Sequence, residues 1–372
     1  ANERNVTVIP EIDMPGHCMA VLAAYPELSV GKTPKFVNPG SKFSEWYDDG
    51  TFKMLIENTL DPTNEKVYDF VEKVMTEVAI LFPGEYIHMG GDECYKGYWE
   101  ESKDVQSFMK KNKIKDVHEL QSYFVKRVEK IVKGKGKKLI GWDEILEGEL
   151  PSDATVMSWR GMKGGIEAAQ KGHKVVMSPT THAYLDYTQG DRSVETNIYA
   201  DLSLEKSYQF DPVPDGVDPS LILGGQGNLW TEAIPQLDYA MYMTYPRAFA
   251  IAESVWSNPS SKDWKKFVHR VEHHFRRFDD QQITICKAIY DPAINVKKKD
   301  DGNYLTLTSV IEGAEIRYSI NNTYPLYKAD VFKSEFRLPD GKYILRTQLF
   351  RHGKPLGRML SIPAEELGKR AK

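Results

Sequence analysis

The sequence predicts an α/β fold built on a parallel sheet, followed by a smaller antiparallel β region. Over residues 1–282, short apolar runs that end on aromatic or acidic residues alternate with stretches of helical periodicity. After residue 282 the apolar spacing changes from about 3.6 residues to about 2. Alternating strands and helices are typical of a parallel sheet, whereas period-two segments between turns are typical of antiparallel strands. We therefore predict two domains, residues 1–282 and 283–372.

Six apolar runs are predicted as strands of the parallel sheet. They cover residues 6–12, 86–87, 138–141, 155–158, 174–177 and 221–225. Acidic or aromatic residues follow nearly all of them. Active sites of open α/β sheets and of barrels lie at the carboxyl ends of the strands. This arrangement therefore predicts a functional site at that edge.

Four segments are predicted as helices between or after these strands. They cover residues 64–82, 117–132, 164–170 and 263–278. In the first, apolar residues recur at spacings of three and four from Val67 to Leu81, and Pro83-Gly84 ends the pattern. In the last, aromatic and valine side chains fall on one helix face.

The tail from residue 283 is predicted to form a small antiparallel β-sandwich. Apolar residues alternate with polar ones around residues 305–307, 316–320 and 343–349, between turns rich in Gly, Asn and Asp. No catalytic cluster is evident in this part of the sequence.

Composition limits the classes of function. The net charge of −4 and the pI of about 6.2 give no reason to expect a nucleic acid partner. No apolar run is long enough to predict a membrane span. The three cysteines, Cys18, Cys94 and Cys286, are odd in number and widely spaced, so they indicate neither a disulfide framework nor a zinc site.

Asp92 and Glu93 form the most informative pair in the chain, because they follow Gly90-Gly91 at the end of a predicted strand. Neighbouring side chains on a strand point to opposite faces, so only a bend of the kind glycine permits could bring both acids into one cavity. Such a pair suits chemistry in which one carboxyl donates a proton while the other stays ionised. Taken alone, the pair could also be a solvated turn.

Seven segments in order together resemble the catalytic barrel of the β-N-acetylhexosaminidases of glycoside hydrolase family 20. They are residues 8–17 (VIPEIDMPGH), 88–93 (HMGGDE), 141–144 (GWDE), 158–159 (SW), 184–186 (YLD), 224–232 (GGQGNLWTE) and 252–256 (AESVW). The resemblance extends from the first strand to about residue 278. The tail, with residues 316–321 (IRYSIN), is similar to the sandwich that follows some of these barrels.

The resemblance implies exo-acting, substrate-assisted and retaining hydrolysis of a terminal β-linked N-acetylhexosamine, of either gluco or galacto configuration. Glu93 would be the general acid and base, while Asp92 would hold the acetamido N–H of the sugar. Tyr184 would donate a hydrogen bond to the acetamido oxygen. No cofactor is implied.

The same resemblance assigns substrate-binding residues. Trp142, Trp159 and Trp230 would box the acetamido group and floor the pocket. Asp186 and Glu232 would accept hydrogen bonds from sugar hydroxyls. Each of these residues taken singly could equally be a core or turn residue.

Asp13, His17 and His88 are expected to support the acids rather than to contact the sugar. Imidazole and carboxylate groups also suit zinc, so these residues with Asp92 and Glu93 could instead form a metal site. Because no paired histidine motif is present, we predict no metal. The two alternative functions are a non-catalytic carbohydrate-binding fragment and a metal-dependent hydrolase on a similar barrel.

The first predicted strand resembles the third strand of the family barrel. We therefore expect a (β/α)8 barrel that lacks its first two strands in this chain. We also expect a second polypeptide or fragment to supply those strands and an N-terminal domain, because an unclosed sheet leaves exposed edges. An extracytoplasmic location is implied by the resemblance alone.

Overall fold

The computed structural model describes residues 1–38, 40, 42–48, 51–326 and 329–371. The chain packs as two compact units. The first comprises Ala1–Pro179 and Pro212–Gly224, and the second comprises Thr180–Asp211 and the chain from Gly225 onward.

A five-stranded sheet forms the centre of the first unit. Its strands lie side by side in chain order: Tyr86–His88, Lys138–Trp142, Thr155–Ser158, Val175–Met177 and Ile222–Gly225. The registers of the first three pairings are parallel. The predicted α/β fold with a parallel sheet is therefore confirmed, whereas its closure into a barrel stays a prediction.

The predicted strand 6–12 is only partly formed. Glu11 bridges to His88 in parallel, and the backbone N–H of Ile12 donates to the His88 carbonyl at 2.9 Å. No described ladder pairs residues 6–9, where Val6 is 56% exposed. The prediction is wrong for those residues, because the partner strand begins only at Tyr86 and has nothing to pair with them.

Helices cover the sheet of the first unit. They span Met19–Ala24, Glu65–Leu81, Gly97–Glu101, Lys103–Asn112, Val117–Gly134 and Lys163–Gln170. Asn64 and Asp116 cap two of them, because their side chains accept hydrogen bonds from backbone N–H groups of the first turn. The predicted helices 64–82, 117–132 and 164–170 are confirmed to within two residues at each end. A hairpin of Ser44–Trp46 and Phe52–Met54 completes the regular structure.

The second unit combines helices with two antiparallel sheets. The helices are Thr180–Ala183, Leu204–Tyr208, Leu237–Thr244, Arg247–Trp256, Trp264–Asp280 and Ala364–Lys369. One sheet has the strand order Asp330–Val331, Glu315–Ser319, Ile344–Arg351 and Lys354–Pro363, and the other has the order Phe336–Arg337, Gly302–Thr308 and Ala293–Lys299. The antiparallel pairing predicted for the tail is thus present.

One hydrophobic core joins the helix Trp264–Asp280 to both sheets. Phe267 and Phe275 of the helix share it with Leu305 of one sheet and with Leu345 of the other. Packing therefore continues across residue 282, and the predicted domain boundary between residues 282 and 283 stays a prediction.

Candidate active site

The Gly90-Gly91 turn places the two adjacent acids at the end of the strand Tyr86–His88. Both glycines have left-handed backbone, with φ of 72° and 101°. A Cβ on Gly90 would lie 1.7 Å from Asp13 Oδ1, so this position accepts no side chain. Glu93 also adopts a positive φ, of 45°. The turn thus brings the backbone against Asp13 and presents Asp92 and Glu93 together.

The structure brings Asp13, His17, Asp92 and Glu93 into one cluster. The backbone N–H of Gly91 donates to Asp13 Oδ1 at 3.2 Å. His17 Nε2 lies 3.6 Å from Asp92 Oδ2 and 3.5 Å from Glu93 Oε2. The imidazole therefore lies within reach of both adjacent carboxylates.

Burial and mutual repulsion shape the charges of this cluster. Burial raises the pKa of Asp92 to about 6, with the charge of Glu93 adding to the rise and that of His17 opposing it. Burial and the charge of Asp92 raise the pKa of Asp13 to about 8. Contact with Glu93 is the main reason that the pKa of His17 rises to about 9. At neutral pH the cluster therefore holds a cationic imidazole among carboxyl groups.

One oxygen of Asp92 lacks a partner. Asp92 Oδ1 is buried and accepts no hydrogen bond from the described residues, and the same is true of His88 Nε2 as donor or acceptor. A buried carboxylate oxygen without a partner is costly unless a ligand supplies a donor. Asp92 Oδ1 is therefore available to a ligand N–H or O–H group.

His88 and Trp142 lie beside the acid turn on neighbouring strands. His88 Nδ1 accepts the backbone N–H of Gly90 at 3.0 Å. The ring of Trp142 meets that of His88 edge to face, with centroids 4.8 Å apart. Trp142 Nε1–H donates to Glu11 Oε1 at 2.9 Å. Burial alone would raise the pKa of Glu11. The hydrogen bonds from His88 and Trp142 and the charge of His88 outweigh burial, so the pKa of Glu11 lies below its usual value.

Trp159 follows the strand Thr155–Ser158 and is held by acids of the preceding strand end. Its Nε1–H donates to Glu144 Oε2 at 2.9 Å, and its backbone N–H donates to Asp143 Oδ2 at 3.1 Å. Arg160 Nε donates to Asp143 Oδ1 at 2.6 Å. Burial raises the pKa of Glu144 to about 8.

The cluster also contains a donor set that could hold a cation. One ligand atom from each of Asp13, His17 and Asp92 lies within 4.8 Å of the other two. Two carboxylates and one imidazole suit zinc. That the site binds no metal therefore stays a prediction, which treatment with a chelator can test.

In the second unit, Tyr184 and Asp186 lie on a segment that pairs with the residues before Trp230. Tyr184 bridges in parallel to Asn228, and the N–H of Asn228 donates to the Ala183 carbonyl at 2.8 Å. Tyr184 and Asp186 are buried, and burial raises the pKa of Asp186 to about 6, with the charge of Glu232 contributing. Asp186 Oδ1 has no hydrogen-bond partner among the described residues.

Trp230 and Glu232 are exposed in the second unit. Trp230 is 37% exposed, and Glu232 is also exposed. The side chain of Tyr184 is hydrogen-bonded to those of Asn228 and Trp230, so the exposed indole lies against the buried phenol.

Arg247 donates hydrogen bonds to the backbone of the segment that carries Tyr184 and Asp186. This residue was not identified from the sequence. Its guanidinium is fully buried and donates to the carbonyls of Leu185 at 2.6 Å and Tyr187 at 2.8 Å. These carbonyls flank Asp186, so Arg247 fixes the backbone on both sides of that acid. An arginine within the apolar helix sequence of residues 246–252 (PRAFAIA) was the available signal.

Glu11, Asp143 and Glu144 were recognised in the sequence only as acids at strand ends. The structure gives each of them a contact with a predicted site residue, as described above. The sequence could not show this, because the contacts join positions separated by up to 131 residues.

Comparison with known proteins identifies the family. Residues 1–259 match the family model described as "Glycosyl hydrolase family 20, catalytic domain". The chain belongs to this family. The resemblance on which the sequence prediction depends is therefore confirmed over 259 residues.

Several characterised members of family 20 are similar to this chain. It is 43% identical over 284 residues to a beta-hexosaminidase of Porphyromonas gingivalis, a match that covers 75% of this chain and 35% of the relative. It is 35% identical to a beta-hexosaminidase of Vibrio furnissii, covering 68% of this chain and 41% of the relative. The chain thus spans well under half the length of these relatives.

Solved structures agree. The GH20 exo beta-N-acetylglucosaminidase of Vibrio harveyi in complex with N-acetylglucosamine has a TM-score of 0.67 at 32% identity. That match covers 77% of this chain and 44% of the other. The Flavobacterium johnsoniae chitobiase has a TM-score of 0.64 at 34% identity, covering 78% of this chain and 42% of the other. No helix among the described residues has the length and apolarity needed to cross a membrane.

Proposed function

We propose that this family 20 protein hydrolyses terminal non-reducing β-linked N-acetylhexosamine residues, with the acetamido group of the substrate as the nucleophile. The observation that carries the proposal is the Gly90-Gly91 turn, which presents Asp92 and Glu93 side by side with Asp92 Oδ1 buried and unpartnered among the described residues. A turn of this kind is costly to fold, because it buries a carboxylate oxygen, Asp92 Oδ1, to which no described residue donates a hydrogen bond.

Glu93 is the proposed general acid and base. As the acetamido carbonyl oxygen attacks the anomeric carbon, the glycosidic C–O bond breaks and Glu93 gives its proton to the leaving oxygen. Water then attacks the anomeric carbon from the face the leaving group occupied. The Glu93 carboxylate takes a proton from that water, the oxazolinium ring opens and the sugar leaves with its β configuration retained.

Asp92 is the proposed holder of the acetamido N–H. Its free oxygen can accept that proton donor, and its negative charge stabilises the cationic oxazolinium intermediate. A pKa of about 6 leaves Asp92 mostly ionised at neutral pH, as this role requires.

The remaining roles follow from the family motifs. Tyr184 is proposed to donate to the acetamido oxygen, and Trp142, Trp159 and Trp230 to enclose the acetamido group. Asp186 and Glu232 are proposed to accept hydrogen bonds from sugar hydroxyls. Asp13, His17 and His88 are proposed to support the acids, for which the contacts of His17 and the Gly91 bond to Asp13 give support.

Release of 4-nitrophenol from 4-nitrophenyl N-acetyl-β-glucosaminide tests the activity. The assay uses the protein together with any polypeptide that co-purifies with it. Glu93→Gln should lower kcat by about 10²- to 10⁴-fold for a substrate with a poor leaving group, because such a substrate needs the proton. The proposal fails if the wild-type protein is inactive, and the role of Glu93 fails if Glu93→Gln turns over such a substrate normally.

We also propose that another polypeptide segment covers the exposed apolar side chains of residues 6–9. Val6, Val8 and Ile9 are 56%, 44% and 42% exposed, and neighbouring apolar side chains on a surface favour contact with a partner. Intact-mass analysis and size-exclusion chromatography of the purified protein check this. A stable monomer of 42.5 kDa without a companion would contradict it. An extracytoplasmic location is proposed from the family resemblance.

A further inference from the structure

Two tryptophans of the proposed acetamido box each donate the indole N–H to a glutamate side chain. Trp142 Nε1–H donates to Glu11 Oε1 at 2.9 Å. Trp159 Nε1–H lies 2.9 Å from Glu144 Oε2 and 3.2 Å from Glu144 Oε1. The two pairs use different elements of the chain, and no role has been assigned above to either glutamate.

We infer that Glu11 and Glu144 are positioning residues, which fix the orientation of the Trp142 and Trp159 rings and thereby shape the pocket for an N-acetyl group. The inference rests on the proposed function, since it gives the two rings a ligand. Neither glutamate is proposed to contact the sugar.

The physical reason is the freedom of an indole ring. A tryptophan side chain turns about two torsions, and the second is broad and poorly defined by local sterics. A hydrogen bond at the Nε1 edge limits that freedom. Against the effect of burial, the pKa of Glu11 is lowered by His88 and Trp142, so Trp142 donates to an ionised carboxylate, which makes the bond stronger than one to a neutral group. Burial raises the pKa of Glu144 to about 8, so at neutral pH Trp159 donates mostly to a neutral carboxyl oxygen. A flat ring that binds C–H groups must keep its plane, because a tilt removes contact over the whole face.

Glu11 is itself held in place by its neighbours. Its backbone bridges to His88, and its Oε1 lies 3.4 Å from His88 Nδ1. Trp142 is 2% exposed and meets the ring of His88 edge to face. Glu11, His88 and Trp142 thus lie in a row across three adjacent parallel segments, and each limits the movement of the next.

Glu144 is held in a different way. It lies on the 3-10 helix Asp143–Glu147, directly after the strand that ends at Trp142, and it is 7% exposed. Arg160 Nε lies 3.6 Å from Glu144 Oε1. The neighbouring Asp143 binds the backbone N–H of Trp159, so the two acids hold that residue at both its backbone and its ring.

The first experiment measures the anchoring without a ligand. Glu11→Leu and Glu144→Leu remove the acceptors at similar volume, whereas Glu11→Gln and Glu144→Gln keep an amide oxygen that can accept the same bond. Indole N–H resonances of protein labelled with 15N-tryptophan are assigned with Trp142→Phe and Trp159→Phe. Each Leu variant should shift the indole N–H resonance of the tryptophan that the glutamate contacts, relative to wild type. Each Gln variant should leave that resonance near its wild-type position.

The second experiment measures the consequence for the sugar. Glu11→Leu should weaken binding of N-acetylglucosamine and raise KM by about tenfold, which corresponds to the loss of one hydrogen bond to a charged group. Glu144→Leu should raise KM by about two- to tenfold, which corresponds to the loss of a hydrogen bond to a neutral group. The kcat value should fall as well, because a loosely held acetamido group is less well placed to attack the anomeric carbon. The pH dependence of kcat should stay that of wild type, because neither glutamate takes part in proton transfer. The Gln variants should bind as wild type does.

Glu272→Leu is the matched control. Glu272 also accepts a hydrogen bond from an aromatic side chain, the Tyr290 hydroxyl at 3.0 Å, and pairs with Arg351 Nη2 at 2.7 Å, but it makes no described contact with either indole. This variant should leave both indole resonances and KM unchanged. Where Glu144→Leu fails to fold, Glu11→Leu and Glu11→Gln still test the inference at the other ring, because the Glu11–Trp142 pair does not involve Glu144.

The outcomes separate the two proposals. If wild type does not bind N-acetylglucosamine, the proposed function is wrong and the positioning role is wrong with it. If wild type binds and the folded Leu variants bind equally well, only the positioning role is wrong. Indole resonances that do not move in the Leu variants would also overturn it.

Discussion

His17 lies within 3.6 Å of both adjacent carboxylates, and this contact decides how the cluster responds to pH. The imidazole faces Glu93, Asp92 and Asp13, and the contact with Glu93 comes first among the reasons that its pKa rises. The side chain is 41% exposed, so solvent screens part of this attraction.

Stability should therefore fall with rising pH through the titration of His17. Because its pKa is about 9 in the folded protein and 6.5 ordinarily, the stability it contributes is complete below pH 6.5 and is lost as the pH rises through about 9. Thermal melts between about pH 7.5 and 10 should show a steeper fall for wild type than for His17→Gln. Equal slopes would show that His17 carries no raised pKa.

At the residue scale, the sequence was sufficient to propose which acids carry chemistry, but it did not identify the residues that contact the proposed site residues. Asp92 and Glu93 were recognisable because two acids after two glycines are unusual on a strand. The contact of Glu11 with Trp142 was not, since it joins strands that become neighbours only in the folded sheet.

At the scale of elements, a substitution at Gly90 tests whether the site depends on the close approach of the Gly90 backbone to Asp13. Gly90→Ala adds a left-handed strain and a clash with Asp13, whereas Gly136→Ala adds the strain alone. Gly136 has nearly the same φ, 73° against 72°, and nothing lies within 4 Å of its added Cβ.

We expect Gly136→Ala to cost about 1–2 kcal/mol of unfolding free energy, the cost of a left-handed residue. Gly90→Ala should cost a further 1–3 kcal/mol or so for the clash, and it should abolish hydrolysis because the acids are displaced. Urea unfolding and the nitrophenol assay measure the two effects. Equal losses of stability in the two variants would contradict the tight approach of Asp13 to the turn.

Helices were easier to predict than the first strand, for a physical reason. Asn64 and Asp263 lie at predicted helix starts, and both accept first-turn N–H bonds in the structure. A helix carries its own hydrogen bonds and caps within the local sequence. A strand depends on a partner elsewhere, and residues 6–9 have no described ladder partner although their sequence is strand-like.

At the scale of the whole molecule, catalysis is proposed to depend on carboxyl groups and on the substrate, with no metal. The donor set of Asp13, His17 and Asp92 makes this worth testing. Incubation with EDTA should leave kcat/KM unchanged. A loss of activity that added Zn²⁺ restores would favour the metal-dependent alternative.

The chain spans 35% and 41% of the lengths of the two bacterial relatives described above. The fold class and family could be predicted from sequence because the motifs lie in order along the chain. Barrel closure could not, because a strand forms only against a partner from elsewhere in the fold, and residues 6–9 have no described ladder partner.

The proposed nucleophile is the substrate's own acetamido oxygen, and changing the acyl group of the substrate tests this directly. Hydrolysis rates are compared for 4-nitrophenyl β-glucosaminides whose N-acyl group is acetyl, fluoroacetyl, difluoroacetyl or trifluoroacetyl. Each fluorine withdraws electron density from the carbonyl oxygen, so kcat should fall steeply with every fluorine added if that oxygen forms the new bond. Rates that do not depend on fluorination would contradict the account, because the nucleophile would then have to be a group of the protein or water.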